Sequence, residues 1–285
     1  MAASKSPPKP QPDAIRIVPL YRPAVPRAEA LAAPTARLTY RNGPLLPAVE
    51  VFAIFWGSAW KKSPLSGTVT QVNRFFDDIL TSALIDQLSE YNTGAFKIAH
   101  GRRTGSATIT TASPGRSLTD TAIRTFLQQQ INSGKVPKVT KNSLYFIFVP
   151  PGVRVVMGGS ASCQAFCGYH NAIGRRTFYA VMPHPDCSGC TASFAPFDAL
   201  TSTSSHELCE AITDPIPGRG LVRRCERRGW RHLRVGDEEG RTVHGATGMV
   251  ERSQSVSVRS PVIQRTRPLV GYRVCSSAAR LIPLR

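Results

Sequence analysis

The sequence predicts an α/β (α+β) fold with one hydrophobic core, in which helices pack on a mixed sheet. Three observations favour this class. The chain has 285 residues, which is enough for one sizeable core. Apolar residues make up 41% of it, as in ordinary globular proteins. Short apolar runs rich in β-branched and aromatic residues alternate with segments of helical apolar spacing, and this alternation is typical of layered strands and helices.

Each predicted element has its own sequence signal. Strands are predicted where apolar, β-branched and aromatic residues run together, at 49–57, 96–111 (strand, turn, strand), 143–150 and 177–183. Helices are predicted at 68–91 from apolar spacing, from Ser117 to Asn132 with a capping box of Ser117 and Asp120, and from Ser205 to Thr213 with a capping box of Ser204 and Glu207. Pro215 ends the last of these helices.

The two ends of the chain differ from its middle. Residues 1–38 are rich in Pro and Ala, lack the apolar core of a signal peptide and are expected to have no fixed structure. Residues 218–285 form an Arg-rich tail that we expect to be poorly ordered. The predicted globular domain is therefore 39–217. No run of eighteen apolar residues is present, so no transmembrane segment is predicted.

The net charge of +18 suggests nucleic-acid binding, but its distribution argues against that function. Residues 219–285 contain 15 Arg, no Lys and 5 acidic residues, so more than half of the net charge lies in this segment. The segment lacks helical or strand periodicity, aromatic stacking pairs and a nucleic-acid motif. We therefore expect no specific nucleic-acid binding.

The most informative motif lies in TSTSSHELCEAITDP, residues 201–215. His206 and Glu210 are four residues apart and share a helix face, and Glu207 lies next to that face. HExxH zinc helices have this arrangement, with a second imidazole where this chain has Glu210. HExxE alone is a weak motif, but its position after a strand-rich core is that of a zincin metal helix, in which His206 and Glu210 would be metal ligands and Glu207 the catalytic base that activates water. The alternative is a solvated helix whose acidic residues interact with the positive end of the helix dipole.

Two further residues are outside candidates for this site. His170, in a predicted glycine-containing loop, is a candidate ligand or transition-state stabiliser, and the alternative is a histidine that only packs or hydrogen-bonds. Asp214 either caps the helix end or turns toward the metal, and capping is favoured. His184 is expected to be structural and His100 to be exposed. Zinc is the expected cofactor, with calcium, which prefers oxygen ligands, as the alternative.

Four cysteines lie close together in the sequence, as CxxxC followed by CxxC: Cys163, Cys167, Cys187 and Cys190. They form two disulfides in one of three connectivities, a structural zinc site, or free thiols. Disulfides are favoured, and they would indicate an oxidising compartment. Cys209, inside the predicted helix, is expected to be a small buried apolar residue.

Four short motifs resemble one known family. FWG (55–57), PPGV (150–153), FCGYH (166–170) and SHELCEAITDP (205–215) stand in the same order as in the bacterial relatives of the plant EXORDIUM, or phosphate-induced, proteins. The resemblance covers roughly residues 39–215. It implies a secreted or cell-surface protein with a zincin-like His-Glu helix. It implies a metal site but no defined activity.

The resemblance ends where the family has an acidic stretch of the form GWYD…GEIGDxC. This chain has GLVRRCERRGWRHLR (220–234) there. One permitted coding of these residues, read one base later, gives AWYDDANGEVGDIC. The same shift of TVHGATGMVERSQ (242–254) permits RYTVQREWSNAH, which is again similar to the family. We therefore predict an out-of-frame translation from about residue 218, which explains a tail rich in Arg and without Lys. The alternative is a genuine basic tail.

The function that these features predict is that of a zincin-like metalloprotein, a metal-dependent hydrolase of peptidase type. The predicted frame change would remove acidic residues that are further candidate ligands, so we expect this chain to bind metal weakly and to be poorly soluble. The alternative is a non-catalytic extracellular or cell-surface protein that binds carbohydrate or a protein partner.

Overall fold

The structure is a computed structural model that describes residues 38–223 and, for three short outlying strands, the backbone alone. The strands are β1 (Arg16–Pro19), β2 (Leu38–Tyr40), β3 (Glu50–Trp56), β4 (Arg102–Ile109), β5 (Ser117–Thr119), β6 (Ser143–Val149), β7 (Arg154–Met157), β8 (Ser160–Ala161), β9 (Phe166–Ile173), β10 (Thr177–Pro183), β11 (Leu221–Arg223), β12 (Ser255–Val256) and β13 (Tyr272–Arg273). The α-helices are α1 (Leu65–Ile79), α2 (Ala83–Gln87), α3 (Asp120–Asn132), α4 (Ser188–Thr191) and α5 (Pro196–Thr213). Two 3₁₀-helices span Ser58–Lys61 and Leu88–Tyr91.

The main sheet has six strands in the order β1-β9-β10-β6-β3-β4. Strands β10, β6, β3 and β4 run parallel to one another, whereas β9 is antiparallel to both of its neighbours, β10 and β1. This mixed sheet with helices confirms the predicted α/β class. The central strands β3 and β6 are almost wholly buried, which is why both are continuous apolar runs in the sequence.

Helices cover both faces of the sheet. Alternate residues of β3, among them Ala53 and Phe55, face a core cluster that contains residues of α1, α2 and α5. The intervening residues, among them Ile54 and Trp56, face a second cluster that contains residues of α3. Because side chains alternate along a strand, one strand contributes to both cores. The α5 helix, which carries the predicted metal motif, therefore lies on one defined face of the sheet.

Several predicted elements have different bounds in the structure. The predicted 68–91 helix is divided: α1 ends at Ile79, and Ser82 caps the start of α2, where its Oγ accepts a hydrogen bond from the Leu84 amide. The cap of α3 is Thr119, not Ser117, since Thr119 Oγ1 accepts from the Ala122 amide at 3.2 Å. The first of the two strands predicted in 96–111 is absent from the described fold, and only β4 forms there.

The predicted start of α5 at Ser205 is wrong, because the helix begins at Pro196. Proline is well suited to the first turn of a helix, where its missing N–H costs no hydrogen bond. Ser204 is not a cap: its Oγ donates to the Leu200 carbonyl at 2.8 Å. Ser205 does the same to Ser202 at 2.8 Å. These hydroxyl residues are buried inside the helix and satisfy their polar groups on the preceding turn.

The predictions for the two tails fall almost wholly outside the described residues. Where the structure describes these segments, it has strands: β1 lies within 1–38, and β11 pairs antiparallel with β2. The continuous described region runs to residue 223, six residues beyond the predicted domain end at 217. None of the helices in the described part of the chain is both long and apolar enough to cross a membrane.

Two tyrosines share one carboxylate on the α3 side of the sheet. Tyr169 and Tyr179 donate their phenolic O–H groups to Asp120 Oδ1, at 2.8 and 2.6 Å. Burial, and then the charge of Asp120, raise the pKa of both phenols well above the usual value near 10. The resulting contribution to stability is fully present below about pH 10, the unfolded value, and is lost as the pH rises toward the higher folded value.

We expect these two phenols to stay protonated at pH values where the phenols of solvent-exposed tyrosines ionise. Absorbance at 295 nm, followed from pH 8 to 12, measures this. Replacing Asp120 with asparagine keeps an acceptor but removes the charge, so the ionisation of Tyr169 and Tyr179 is expected to move to lower pH. A single ionisation step that includes all seven tyrosines of the chain before unfolding would contradict the prediction.

Candidate metal site

Helix α5 presents three chemically active side chains to the sheet. It contacts β9, β10 and α1 and is buried along most of its length. As the four-residue spacing predicts, His206 and Glu210 lie on one face, with His206 Nε2 3.4 Å from Glu210 Oε1. Glu207 points into the protein and is completely buried.

His170 completes this cluster from β9. The sequence prediction of a loop at this position is wrong, since Phe166–Ile173 is a strand whose His170 pairs with Ala180 of β10. A hairpin signal was present in the sequence: Gly174, which has φ 62°, stands between two runs rich in apolar residues. His170 is completely buried and its ring faces α5.

The two ring nitrogens of His170 have different partners: Nδ1 faces the carboxylates of Glu207 and Glu210, and Nε2 faces the Asp214 carbonyl. Nε2 lies 3.2 Å from the Asp214 carbonyl, which can only accept, so Nε2 carries a proton. Nδ1 lies 2.8 Å from Glu207 Oε2 and 3.6 Å from Glu210 Oε2. One proton is therefore shared between Nδ1 and Glu207, and a cation that displaced this proton would meet a ring nitrogen and two carboxylates.

These three residues have the spacing of a metal site. One donor atom from each of His170, Glu207 and Glu210 lies within 4.8 Å of the other two. Zinc binds both imidazole nitrogen and carboxylate oxygen, and calcium requires more oxygen ligands than this cluster offers. The donor chemistry therefore fits zinc better than calcium.

The second oxygen of Glu207 is one of the few buried side-chain polar atoms in the described residues that have no hydrogen-bond partner there. Oε1 is buried and has no hydrogen-bond partner among the described residues. A buried carboxylate oxygen without a partner costs free energy, and an ion or a water molecule would satisfy it. This orphaned atom is a physical reason for the cluster to bind something beyond its own side chains.

The pKa values of three cluster members are shifted toward their protonated forms. Burial lowers the pKa of His206, but the nearby Glu210 carboxylate outweighs burial and raises it to about 9. Burial also opposes protonation of His170, and the hydrogen bond and charge of Glu207 outweigh it, so the pKa of His170 is raised. Burial raises the pKa of Glu207. A metal that binds here must displace protons.

Asp214 caps the end of helix α5, as the sequence predicts. It follows the last residue of α5, and its carboxylate accepts hydrogen bonds from the amides of Gly218, Arg219 and Gly220 at 2.8, 2.9 and 2.5 Å. It touches the cluster through its backbone carbonyl, which accepts from His170. The carboxylate therefore organises the turn after α5, and its carbonyl orients the histidine ring.

The other two histidines in the described part of the chain, His184 and His100, lie outside the cluster. His184 Nδ1 is 3.3 Å from Asp186 Oδ1, and its ring lies near Trp60, which agrees with a structural role. His100 pairs with Asp86 at 2.8 Å, and its side chain is 48% exposed, as expected.

The four clustered cysteines form two disulfides rather than a zinc site. The sulfur atoms of Cys163 and Cys187 are 2.17 Å apart, and those of Cys167 and Cys190 are 2.13 Å apart. Three of these sulfurs are also mutually close enough to hold a metal, but a sulfur in a disulfide is no longer a thiolate ligand. Cys209 is buried and outside both disulfides, as predicted. The disulfides are compatible with an extracellular protein.

Close packing of α5 on β9 depends on Gly168. A Cβ at this position would lie 2.6 Å from Thr203 Cγ2 and 2.9 Å from Met182 Cε. The absence of a side chain at Gly168 therefore leaves room for Thr203 of α5 to pack directly on β9, the strand that carries His170.

We expect Gly168→Ala to lower the free energy of unfolding by about 2 kcal/mol, because the added methyl group overpacks the interface. Urea unfolding measures the loss. Gly67→Ala is the matched control: a Cβ there would meet nothing within 4 Å, so no loss is expected. Equal stability of the Gly168 variant and the wild type would show that α5 does not need this close contact.

Comparison of the sequence with models of protein families and with curated proteins finds no match. The resemblance to EXORDIUM-like proteins therefore stays an expectation that rests on short motifs. The geometry of the His-Glu cluster is the main basis for a function.

Proposed function

We propose that this chain is a zincin-like metalloprotein that binds one zinc ion in the cluster of His170, His206, Glu207 and Glu210. The observation that carries the proposal is the convergence of three buried donor residues, with an oxygen of Glu207 that has no partner in the described part of the chain. A structural His-Glu network of this size would be expected to satisfy all its buried oxygens.

The contacts favour Glu207 as a ligand. Its Oε2 lies 2.8 Å from His170 Nδ1, closer than Glu210 Oε2 at 3.6 Å, and one of its oxygens belongs to the set of mutually close donors. The motif alone favours Glu207 as the base and His206 as a ligand. His206 lies near Glu210 Oε1, whereas His170 lies near Glu210 Oε2. The side chain of His206 is 16% exposed. We therefore propose His170, Glu207 and Glu210 as the ligands, with His206 at the outer side of the site.

Metal binding is tested on purified chain freed of metal with a chelator. We expect isothermal titration to show one zinc ion per chain and calcium to bind more weakly. Glu207→Gln and Glu210→Gln are expected to lower zinc affinity more than the 10- to 100-fold that loss of an outer partner costs, whereas His206→Ala is expected to lower it within that range. His100→Ala is the control, because His100 lies outside the cluster.

Two outcomes of this titration would contradict the proposal. Zinc binding that is unchanged in Glu207→Gln and Glu210→Gln would place the ion elsewhere. Unchanged affinity in Glu207→Gln alone would restore the role of base to Glu207 and remove it from the ligand set.

A hydrolase of peptidase type is the activity that we propose for such a site. A bound zinc ion would supply Lewis-acid chemistry toward a substrate carbonyl. His206 is the most exposed member of the cluster and is the protonatable group best placed to reach a substrate. Cleavage of a peptide library that needs zinc and is lost in Glu207→Gln would support a hydrolase.

Burial favours a second candidate function, a non-catalytic extracellular or cell-surface binding protein. His170 and Glu207 have no exposed surface, and closed sites are typical of structural metals. In that case zinc would raise the stability of the chain without any activity. Retained zinc binding, a higher melting temperature with zinc and no cleavage of the library would favour the binding protein.

We also propose that the chain as written is translated out of frame after Gly220. A Cβ at Gly220 would lie 2.3 Å from the Thr213 carbonyl oxygen and 2.7 Å from Asp214 Cα, which supports glycine as the residue that belongs there. If one extra base follows the Gly220 codon, the restored sequence is GWYDDANGEVGDIC, which matches the acidic family pattern from its first glycine. The lost acidic residues would be further ligands.

Reading the nucleotide sequence across codons 215–225 tests the frame directly. We expect a frame that encodes WYDD…GDIC immediately after the codon of Gly220, and its absence would disprove the frame change. A restored-frame chain is expected to be more soluble and to bind zinc or calcium more tightly than this one.

A further inference from the structure

The strand that carries His170 is covered at its outer edge by a short segment from near the start of the chain. β1 pairs antiparallel with β9, so that Arg16 is opposite His170, Ile17 opposite Tyr169 and Val18 opposite Gly168. The other side of β9 is paired with β10. The backbone groups of β9 that point away from β10 are therefore satisfied, in this part of the sheet, by four residues that lie far away in the sequence.

The pairing of β1 is short and ends irregularly. The register shifts between Val18 and Pro19, and a proline has no N–H to donate to the neighbouring strand. Residues 20–37 separate β1 from β2. A four-residue strand at a sheet edge makes few hydrogen bonds and belongs to the elements that open most easily by local unfolding.

The edge of β9 lies directly beside the His-Glu cluster. Arg16 is opposite the histidine whose ring faces Glu207, and α5 contacts β1. An uncovered sheet edge is a template for an extended chain, which gains main-chain hydrogen bonds whatever its side chains are. Any polypeptide that replaced β1 would therefore run alongside the cluster in an extended conformation.

We propose that the edge of β9 is a docking site for an extended polypeptide, and that residues 16–19 occupy it within the chain as a displaceable strand. The inference rests on the proposed function for what becomes of the docked peptide, to which it adds the extended conformation in which a substrate docks and a form of regulation by self-occupancy. The docking itself depends only on the pairing of β1 with β9.

The test uses the full chain and a fluorescent peptide with the sequence of residues 13–22, DAIRIVPLYR. The variant Ile17→Pro/Val18→Pro removes two backbone N–H groups from β1, so its edge is expected to open. Anisotropy should then show the peptide binding to this variant at least tenfold more tightly than to the wild type. Ala28→Pro, outside β1, is the matched control and should behave as the wild type. A peptide that carries the same two prolines should not bind.

Two results would overturn the inference: no peptide binding to the double-proline variant, or equal binding to the variant and the wild type. If the variant does not fold, hydrogen exchange of the wild type replaces this test. The β9 amides must then exchange faster than those of β6, through a local opening, and equal protection of the two strands would overturn the inference.

Repeating the titration with a chelator and with added zinc separates this inference from the proposed function. Peptide binding by a chain that takes up no zinc would leave the docking edge standing and contradict the metal site. Zinc binding without any peptide binding would support the metal site and contradict the docking edge.

Discussion

We expect His170→Leu to lower the free energy of unfolding by about 3–5 kcal/mol at neutral pH in the presence of a chelator. His170 and Glu207 are both completely buried and lie 2.8 Å apart. Removal of the imidazole leaves a carboxylate in the protein interior without its partner, and breaking a buried pair in this way costs about that much. The variant also leaves the Asp214 carbonyl without the N–H that it now accepts. Denaturant unfolding of wild type and variant measures the difference.

The double variant His170→Leu/Glu207→Leu decides whether the loss comes from the unpaired acid. Replacing both partners with apolar side chains of similar size removes the buried charge, so we expect most of the lost stability to return. His184→Leu is the control, because that histidine pairs with Asp186, whose side chain is 42% exposed, and should lose less than about 1 kcal/mol. A double variant no more stable than His170→Leu would show that packing around the ring, rather than pairing, holds this region together.

The contrast between predicted and observed elements follows from which interactions are local. Strands β3, β6 and β10 could be predicted because continuous apolar runs are a property of the segment itself. The end of α5 could be predicted for the same reason, since Pro215 follows it. The start of α5 was predicted wrongly because Ser204 and Ser205 are residues that often cap helices, whereas their hydroxyls here donate to carbonyls of the preceding turn. Pro196 was the local signal of the true start.

The contacts of the candidate site also include one that follows from local spacing and one that does not. The approach of His206 to Glu210 follows from their spacing on one helix. The approach of His170 to Glu207 does not, because 37 residues separate them in the sequence. The β9–β10 hairpin that positions His170 is local, but the packing of α5 on β9 at Gly168 is a tertiary contact that the sequence does not reveal. Sequence reasoning therefore identified the residue types of the site but not which of them touch.

The strongest consequence of the disulfides is expected for the part of the fold that holds His170. Cys167 lies in β9, three residues from His170, and its disulfide joins this strand to Cys190 in α4. Because α4 contacts both α5 and β9, the disulfide ties together the two elements that form the cluster. We expect Cys167→Ala/Cys190→Ala to lower the free energy of unfolding by about 3 kcal/mol, from the lost closure of a loop of this length.

Urea unfolding of the oxidised chain, of this variant and of the wild type with reductant measures the effect. Cys209→Ala is the control, since Cys209 is in neither disulfide, and should lose no more than about 1 kcal/mol. The reduced wild type should lose more than the variant, because the Cys163–Cys187 disulfide opens as well. A domain is usually stable by only about 5–15 kcal/mol. The loss of both disulfides in the reduced wild type would therefore remove a large part of the free energy of unfolding. Unchanged unfolding under reductant would show that the disulfides do not hold β9 against α5, and the case for an oxidising compartment would lose its energetic basis.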